Sequence, residues 1–210
     1  MATTPSVRAP AAQSFKQTML IVVALLVIYF IYEQVLQYFV WSEETYGYYW
    51  QFRTSVIVHV SGGFIALLAG LFQLWSGLNG RAMGTHPLTG RLYVGGVLLG
   101  SAGAIALSFT SSVYGFAWGV SLFMLAIAWL AITGTAIHLI RRRNVIAHKQ
   151  WMIRSYILTF GFVTFRIFVD HVPYEALWGI SRPDMANAAI WPVWVVPLIA
   201  YEILLATRGR

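Results

Sequence analysis

The segment RRRNVIAHKQWMIRSYILTFGFVTF (residues 141–165) passes directly from a cluster of basic residues to a long apolar run. Three arginines come first, and His148, Lys149 and Arg154 follow before the polar residues become sparse. A helix needs about 20 mostly apolar residues to cross the hydrocarbon core of a bilayer. Basic residues at one end of such a run are typical of a transmembrane helix that begins at the membrane surface. The segment therefore predicts a membrane-spanning helix.

The composition of the whole chain agrees with this prediction. Of its 210 residues, 59% are hydrophobic and only 10% are charged, whereas soluble domains contain about 25% charged residues. The sequence therefore indicates an integral membrane protein. It contains no cysteine, which excludes disulfides, thiolate metal sites and cysteine nucleophiles. A bound metal or haem would need histidine, methionine, tyrosine or carboxylate ligands.

Six apolar segments qualify as spans, and no pattern of alternating strands is present. We expect an all-α integral membrane protein with one transmembrane domain over residues 19–206, flanked by tails at 1–18 and 207–210. The first apolar run is too long for a signal-peptide core of roughly 7–15 residues, so we expect it to be retained as a span. The predicted spans are approximately 19–40, 54–78, 88–110, 113–140, 150–170 and 188–206.

The distribution of lysine and arginine predicts the orientation. With the N-terminus in the cytoplasm, eleven basic residues fall on the inner side and three on the outer side, as the positive-inside rule requires. Both termini are then cytoplasmic, in a bacterial inner membrane. The basic net charge of +7 reports this topology and contact with anionic lipid, and we expect no nucleic-acid partner.

Aromatic and small residues have more ordinary interpretations. The stretches 41–52 and 174–194 are rich in Trp and Tyr, which favours belt residues and short helices at the headgroup level. Gly96-x-x-x-Gly100 and Ala66-x-x-x-Gly70 have the spacing that lets helix backbones approach closely. We favour close packing of the second and third spans over a slot for a flat cofactor.

Ionisable side chains within spans are costly and are therefore functional candidates. Their estimated depth divides them into two layers. Arg154 and Glu202 lie at matching depth, so we predict a structural ion pair between them. Arg166 could be neutralised by Asp170 or by Glu33. The inner layer contains His86, Arg91, His138, His148, Arg154 and Glu202, and the outer layer contains Glu33, His59, Arg166, Asp170 and His171.

Histidine pairs on facing helices can supply the two axial ligands of haem b. His86 and His148 form the inner candidate pair, with Arg91 and Arg154 available to pair with the propionates. His59 and His171 form a possible second pair, with Arg166 nearby. Two such pairs would make an electron path across the membrane.

Two alternatives stay open at this point. His59, Asp170 and His171 could hold zinc or iron in a membrane metalloenzyme. In the other alternative the histidines have no chemical role: the basic loop contacts anionic lipid, and His59 is a buried histidine bonded to a neighbour. The protein would then be an assembly factor, an accessory subunit or a small-molecule transporter.

Two motifs carry a resemblance to a known family. They are His86-x-x-x-Gly90-Arg91-x-Tyr93 and His148-Lys149-x-Trp151-Met152-x-Arg154-Ser155-Tyr156, with His59 before and Arg166 after them. Roughly residues 55–205 resemble a bacterial family of predicted multi-pass membrane proteins, classed as a domain of unknown function. The resemblance implies that these histidines and arginines are pattern residues of the family. Members more often carry arginine after each histidine, where this chain has Pro87 and Lys149.

A looser similarity is to cytochrome b561-like bundles, in which histidines on four core helices hold two haems. The fourth span has no outer histidine to pair with His59, so this template accommodates one haem, between His86 and His148. The sequence therefore predicts a membrane redox protein with haem b, which exchanges electrons with a quinone, a periplasmic donor or a redox partner protein.

Overall fold

A computed structural model describes residues 10–110 and 114–208, and the described residues are almost entirely helical. Six of the helical segments are long and apolar enough to cross a membrane, as the sequence predicts. The α-helices of the described residues, in chain order, are α1 (Pro10–Phe30), α2 (Glu43–Tyr46), α3 (Arg53–Asn79), α4 (His86–Thr110), α5 (Phe116–Arg141), α6 (Val145–His171), α7 (Tyr174–Trp178), α8 (Arg182–Ala189) and α9 (Pro192–Arg208).

Several boundaries differ from the predicted ones. Helix α1 begins at Pro10, so part of the predicted tail 1–18 is helical. After Phe30 the helix continues through a π-helical turn, Ile31–Val35, and a 3₁₀ turn, Leu36–Phe39. The last predicted span, 188–206, is divided between α8 and α9. The predicted tail from 207 is also shorter, because α9 extends to Arg208.

Helix α6 begins earlier than the apolar run because its first turn is capped. The side chain of Asn144 accepts a hydrogen bond from the backbone N–H of Ala147 at 3.1 Å, which satisfies a donor that the helix itself leaves free. The helix therefore starts at Val145, and His148 lies within its first turns. The aromatic stretches 41–52 and 174–194 both contain short helices, as expected.

The four central helices α3, α4, α5 and α6 form the core, and α1 and α9 pack on its outside. In the apolar windows of the first and last spans 11% of residues are buried, compared with 28–44% in the four central spans. The peripheral helices therefore direct most of their apolar side chains away from the protein, toward the lipid that a spanning helix contacts.

Helices α3 and α4 approach at the backbone along the predicted glycine positions. A Cβ atom added to Gly62 would lie 2.1 Å from the backbone N of Gly100, and one added to Gly96 would lie 2.7 Å from the N of Ala66. A Cβ at Gly103 would lie 2.5 Å from the N of His59. These glycines thus serve helix packing, and they leave no slot for a flat cofactor at this contact.

Candidate functional site

Two of the predicted histidines face one cavity. His86 at the start of α4 and His148 in the first turns of α6 both line a cavity of about 60 Å³, together with Gln73 and Gly77 of α3. We call it the His86–His148 cavity. A Cβ added to Gly77 would lie 3.5 Å from Cε1 of His86, so the glycine keeps the space beside this ring free. The structure therefore brings the two histidines of the inner layer together.

Nδ1 is hydrogen-bonded in both His148 and His86. His148 Nδ1 lies 2.9 Å from the carbonyl oxygen of Ala136. Because a carbonyl can only accept, this nitrogen donates, and Nε2 carries the lone pair of the neutral ring. His86 Nδ1 lies 2.7 Å from the hydroxyl oxygen of Ser76, which can donate or accept. A metal-bound histidine commonly has its other ring nitrogen bonded to a carbonyl or similar group, and His86 has this arrangement when Ser76 donates instead to the carbonyl of Gln73, 3.2 Å away.

Other residues hold the His86–His148 cavity in shape. The side-chain amide of Gln73 donates to the backbone carbonyl of His86 at 2.7 Å and also to Thr89, which ties α3 to the first turn of α4. Gly70 leaves room for two aromatic rings: a Cβ there would lie 2.5 Å from Tyr156 and 2.8 Å from Tyr93. These two tyrosines form part of the cavity wall.

The arginines predicted for this cavity lie elsewhere. Arg91 is exposed and does not line the cavity. Arg154 Nε lies 2.6 Å from Glu202 Oε1, and Nη2 lies 2.9 Å from Oε2, so the predicted ion pair is present in the structure and is bidentate. The guanidinium also lies over the ring of Trp151, 4.9 Å from its centroid. The cation that does line the cavity is Lys149.

The Arg154–Glu202 pair is expected to stabilise the packing of α6 against α9. A double-mutant cycle with Arg154→Met and Glu202→Gln, measured by unfolding in detergent, should give a coupling energy of roughly 0.5–3 kcal/mol. Arg91→Met is the matched control and should be additive with Glu202→Gln, because Arg91 is exposed and makes no contact with Glu202 in the structure. Additive effects of Arg154→Met and Glu202→Gln would contradict the pairing.

His59 lines a second and larger cavity. This His59 cavity has a volume of about 220 Å³ and is lined by residues of the four central helices, of the end of α1 and the turns that follow it, and by Tyr49. Its wall is mostly apolar, with Gln34 and Arg166 among the polar residues. His59 Nδ1 donates to the carbonyl of Gly100 at 2.8 Å, and its ring meets Phe162 edge-on at 5.6 Å. Its Nε2 therefore also carries the lone pair of the neutral ring.

Arg166 is neutralised by Asp170, one of the two candidates that the sequence offers, at 3.1 Å between Nε and Oδ2. Its guanidinium also donates to Gln34 Oε1, with Nε at 3.0 Å. Asp170 has a second partner in Arg182. Glu33, the other candidate, is exposed. Gln34 lies in the π-helical turn after α1, and such turns are frequent at functional sites.

The structure does not bring His171 to His59. His171 is exposed, with Nε2 at 2.6 Å from the hydroxyl of Tyr29, and it does not line the His59 cavity. The predicted outer histidine pair is therefore not assembled. The metal-site alternative of His59, Asp170 and His171 is not assembled either, because Asp170 is held between two arginines.

The comparison with known families identifies the chain. A family described as "predicted membrane protein (DUF2306)" matches residues 56–205. The chain belongs to this family. The matched region includes the three histidines that line the two cavities, His59, His86 and His148, and it covers α4, α5, α6 and all of α3 except its first three residues. No match was found among curated proteins or among solved structures.

Sequence reasoning missed some residues of the site in this DUF2306 family member. Gln73 and Lys149 line the His86–His148 cavity, and neither is among the residues that the sequence indicates as candidates. Gln73 is a polar residue inside a predicted span, which is the signal that could identify it. Lys149 belongs to the basic residues at the start of a span, and these are typical of the membrane surface whatever else they contact.

Proposed function

We propose that this protein is a membrane redox protein that holds b-type haem at the His86–His148 cavity. One observation carries the proposal: two histidines from different helices line the same cavity, and Nδ1 of each is held by a hydrogen bond, which leaves Nε2 as the nitrogen that could bind a metal. Bis-histidine ligation from facing helices is an established way to hold haem in helical bundles. When bound, the haem would supply one-electron transfer.

The two histidines are suitable ligands for haem iron, but the volume of the His86–His148 cavity is small for haem. Pockets that hold drug-sized ligands span roughly 300–1,000 Å³, whereas this cavity measures about 60 Å³. Haem therefore enters only if flexible apolar side chains of the wall, such as Met152 and Leu78, move outward. Met is well suited to this because its unbranched side chain adapts to irregular spaces.

The remaining residues have roles that follow from their positions. His86 and His148 would hold the haem iron, with the ring of His86 oriented by the hydroxyl of Ser76 and the ring of His148 by the carbonyl of Ala136. Lys149, which lines the cavity, would pair with a propionate as a point charge. Arg154 is engaged by Glu202, and this supports a structural role for it.

The basic residues near the His86–His148 cavity support a position on the cytoplasmic side of the membrane. The end of α5 and the loop to α6 carry Arg141, Arg142 and Arg143, and by the positive-inside rule this supports a position of the His86–His148 cavity near the cytoplasmic face of a bacterial inner membrane, with both termini cytoplasmic. Electron exchange would then occur with a membrane quinone or with a redox partner protein.

The visible spectrum of the purified protein tests the proposal. Protein expressed in haem-replete cells and purified in detergent should show a Soret band and, after reduction, a sharp α band. A colourless protein from the same cells, while a control cytochrome expressed in parallel is coloured, would refute the proposed function.

A further inference from the structure

The His59 cavity contains open space beside helix α3. Gly63 lines this cavity, and a Cβ atom added to it meets no atom within 4 Å. An engineered cavity of about 150 Å³ with apolar walls takes up benzene, whereas the His59 cavity measures about 220 Å³. It is therefore large enough for an aromatic ring that carries substituents.

Much of the wall of this cavity is apolar. Its apolar residues include Val56 and Leu67 of α3, Leu125 of α5 and Leu158 of α6, and all four are buried. A water molecule inside a protein needs about 2–4 polar partners, and these side chains offer none. This part of the cavity therefore suits the ring of an apolar ligand better than it suits water.

His59 provides a hydrogen-bond acceptor in the wall. Its Nδ1 donates to the carbonyl of Gly100 at 2.8 Å, so Nε2 carries the lone pair of the neutral ring. This Nε2 has no hydrogen-bond partner among the residues that the structure describes, yet the surrounding atoms do not enclose it. It therefore borders the open space, where it can accept a hydrogen bond from a ligand hydroxyl group.

Gln34 and Arg166 provide donors in the same wall. The guanidinium of Arg166 donates to Gln34 Oε1, with Nε at 3.0 Å, which leaves the amide N–H groups of Gln34 for another acceptor. Arg166 Nε also lies 3.1 Å from Asp170 Oδ2, so the positive charge already has a partner. These groups therefore favour a neutral oxygen acceptor over an anion.

We propose that the His59 cavity binds the ring of a hydroquinone, the reduced form of a lipid-soluble quinone. One hydroxyl donates to His59 Nε2, the oxygen on the opposite side of the ring accepts from the amide of Gln34, and the ring occupies the apolar part of the cavity. The oxidised quinone has two carbonyl oxygens and no hydrogen to donate, so it leaves His59 Nε2 unpaired. The cavity therefore selects the reduced form.

The wall between this cavity and the lipid is thinnest at the turns after α1. Gln34 and Tyr38 line the cavity, whereas Tyr32 and Leu36 on the same turns are exposed. A hydroquinone dissolves in the bilayer, so it reaches this wall without a water-filled channel. A role of the hydroquinone as electron donor to haem rests on the proposed function, but its binding does not require haem, so the two proposals can fail separately.

Equilibrium dialysis tests the binding. Purified protein in detergent is dialysed without oxygen against tetramethylhydroquinone, which has the ring but no isoprenoid tail, and protein-free micelles of the same detergent are the reference. The wild-type protein should bind in a saturable manner, with a single molecule per chain. Tetramethylquinone should bind at least about tenfold more weakly, because it lacks the hydrogen bond to His59. Absence of saturable binding, or equal affinity for the two redox forms, would overturn the proposal.

A variant that fills the cavity assigns the binding to this place. Gly63→Leu directs a side chain into the open space without removing a polar group, and it should abolish the binding. Gly95→Leu in α4 is the matched control, because a Cβ there also meets no atom within 4 Å and the residue does not line the cavity. Gly95→Leu should retain the wild-type affinity.

Two further variants test the polar contacts. His59→Leu and Gln34→Leu should each weaken the binding at least about tenfold, and His59→Leu should also lose the preference for the reduced form. His171→Leu and Gln37→Leu are the controls, since both residues are exposed and neither lines the cavity.

Wild-type affinity in Gly63→Leu, in His59→Leu or in Gln34→Leu would contradict the proposed site. If a polar variant fails to fold, Gly63→Leu gives the decisive comparison. Loss of a haem spectrum in Gly63→Leu would show that haem, and not a hydroquinone, occupies this cavity. A colourless wild-type protein that binds hydroquinone would refute the haem proposal alone.

Discussion

His86→Ala and His148→Ala are each expected to abolish the absorption spectrum of the bound haem. Each change removes one of the two histidines that would hold the iron, and each of these rings is oriented by a hydrogen bond at its Nδ1, of 2.7 Å in His86 and 2.9 Å in His148. The cavity that the two rings share offers no third histidine. The measurement is the reduced-minus-oxidised visible spectrum of each variant, normalised to protein.

The matched control for these variants is His138→Ala. His138 lies near the end of α5, is exposed and lines neither cavity. His138→Ala is the same substitution as in the two ligand variants, and it should leave the haem spectrum unchanged. Unchanged spectra in both His86→Ala and His148→Ala would contradict the ligand assignment, even if the wild-type protein binds haem elsewhere.

Gly62→Ala is expected to destabilise the protein by at least about 2 kcal/mol, in the upper part of the range for overpacking a well-packed core. The added Cβ would lie 2.1 Å from the backbone N of Gly100 and 2.6 Å from its Cα. Backbone atoms cannot rotate away as a side chain can, so α3 and α4 must separate. The same separation would disturb the bond from His59 Nδ1 to the carbonyl of Gly100. Thermal or denaturant-induced unfolding in detergent measures the effect.

The adjacent glycine provides the control for this prediction. A Cβ added to Gly63 meets no atom within 4 Å, and alanine is favoured over glycine inside a helix by roughly 0.5–1 kcal/mol. Gly63→Ala should therefore leave stability unchanged or raise it slightly. Equal stability of the Gly62→Ala and Gly63→Ala variants would show that the close approach of α3 and α4 does not contribute to folding.

The fold could be predicted from the sequence because the bilayer imposes a simple length requirement. Apolar runs of about 20 residues are visible without any knowledge of long-range contacts, and the structure places helices at all six of them. The helix ends were less predictable. The start of α6 depends on the cap at Asn144, a polar residue outside the apolar run, and α1 begins at Pro10, before its apolar run.

The candidate site was predictable in part, and helical geometry explains which part. His148 and Arg154 are six residues apart, which separates them by about 120° around the helix. Residues so separated face different neighbours, and in the structure His148 lines a cavity while Arg154 bonds Glu202. Which helix lies on each side depends on tertiary packing. This is why Arg91 and Arg154 were assigned to a cavity that Lys149 lines instead.

The neighbours of the outer histidines also depend on tertiary packing, which the sequence does not reveal. His59 and His171 have similar estimated depth, but depth does not specify direction. His171 is at the last turn of α6, where its Nδ1 bonds the carbonyl of Ile167 at 3.1 Å and its ring turns toward Tyr29 on α1. The buried hydrogen bonds that Ser155 Oγ makes with the hydroxyls of Tyr93 and Thr133 were also not predicted. These three residues meet only when α4, α5 and α6 pack together.

Electron paramagnetic resonance of the oxidised, purified protein tests most directly whether His86 and His148 share one iron. Two imidazole ligands produce a strong ligand field, so the account predicts a low-spin ferric haem signal in the wild-type protein. The spectrum of the His148→Ala variant, recorded in the same way, should lack that low-spin signal. A purely high-spin ferric signal, or a low-spin signal that persists unchanged in His148→Ala, would contradict the proposed site.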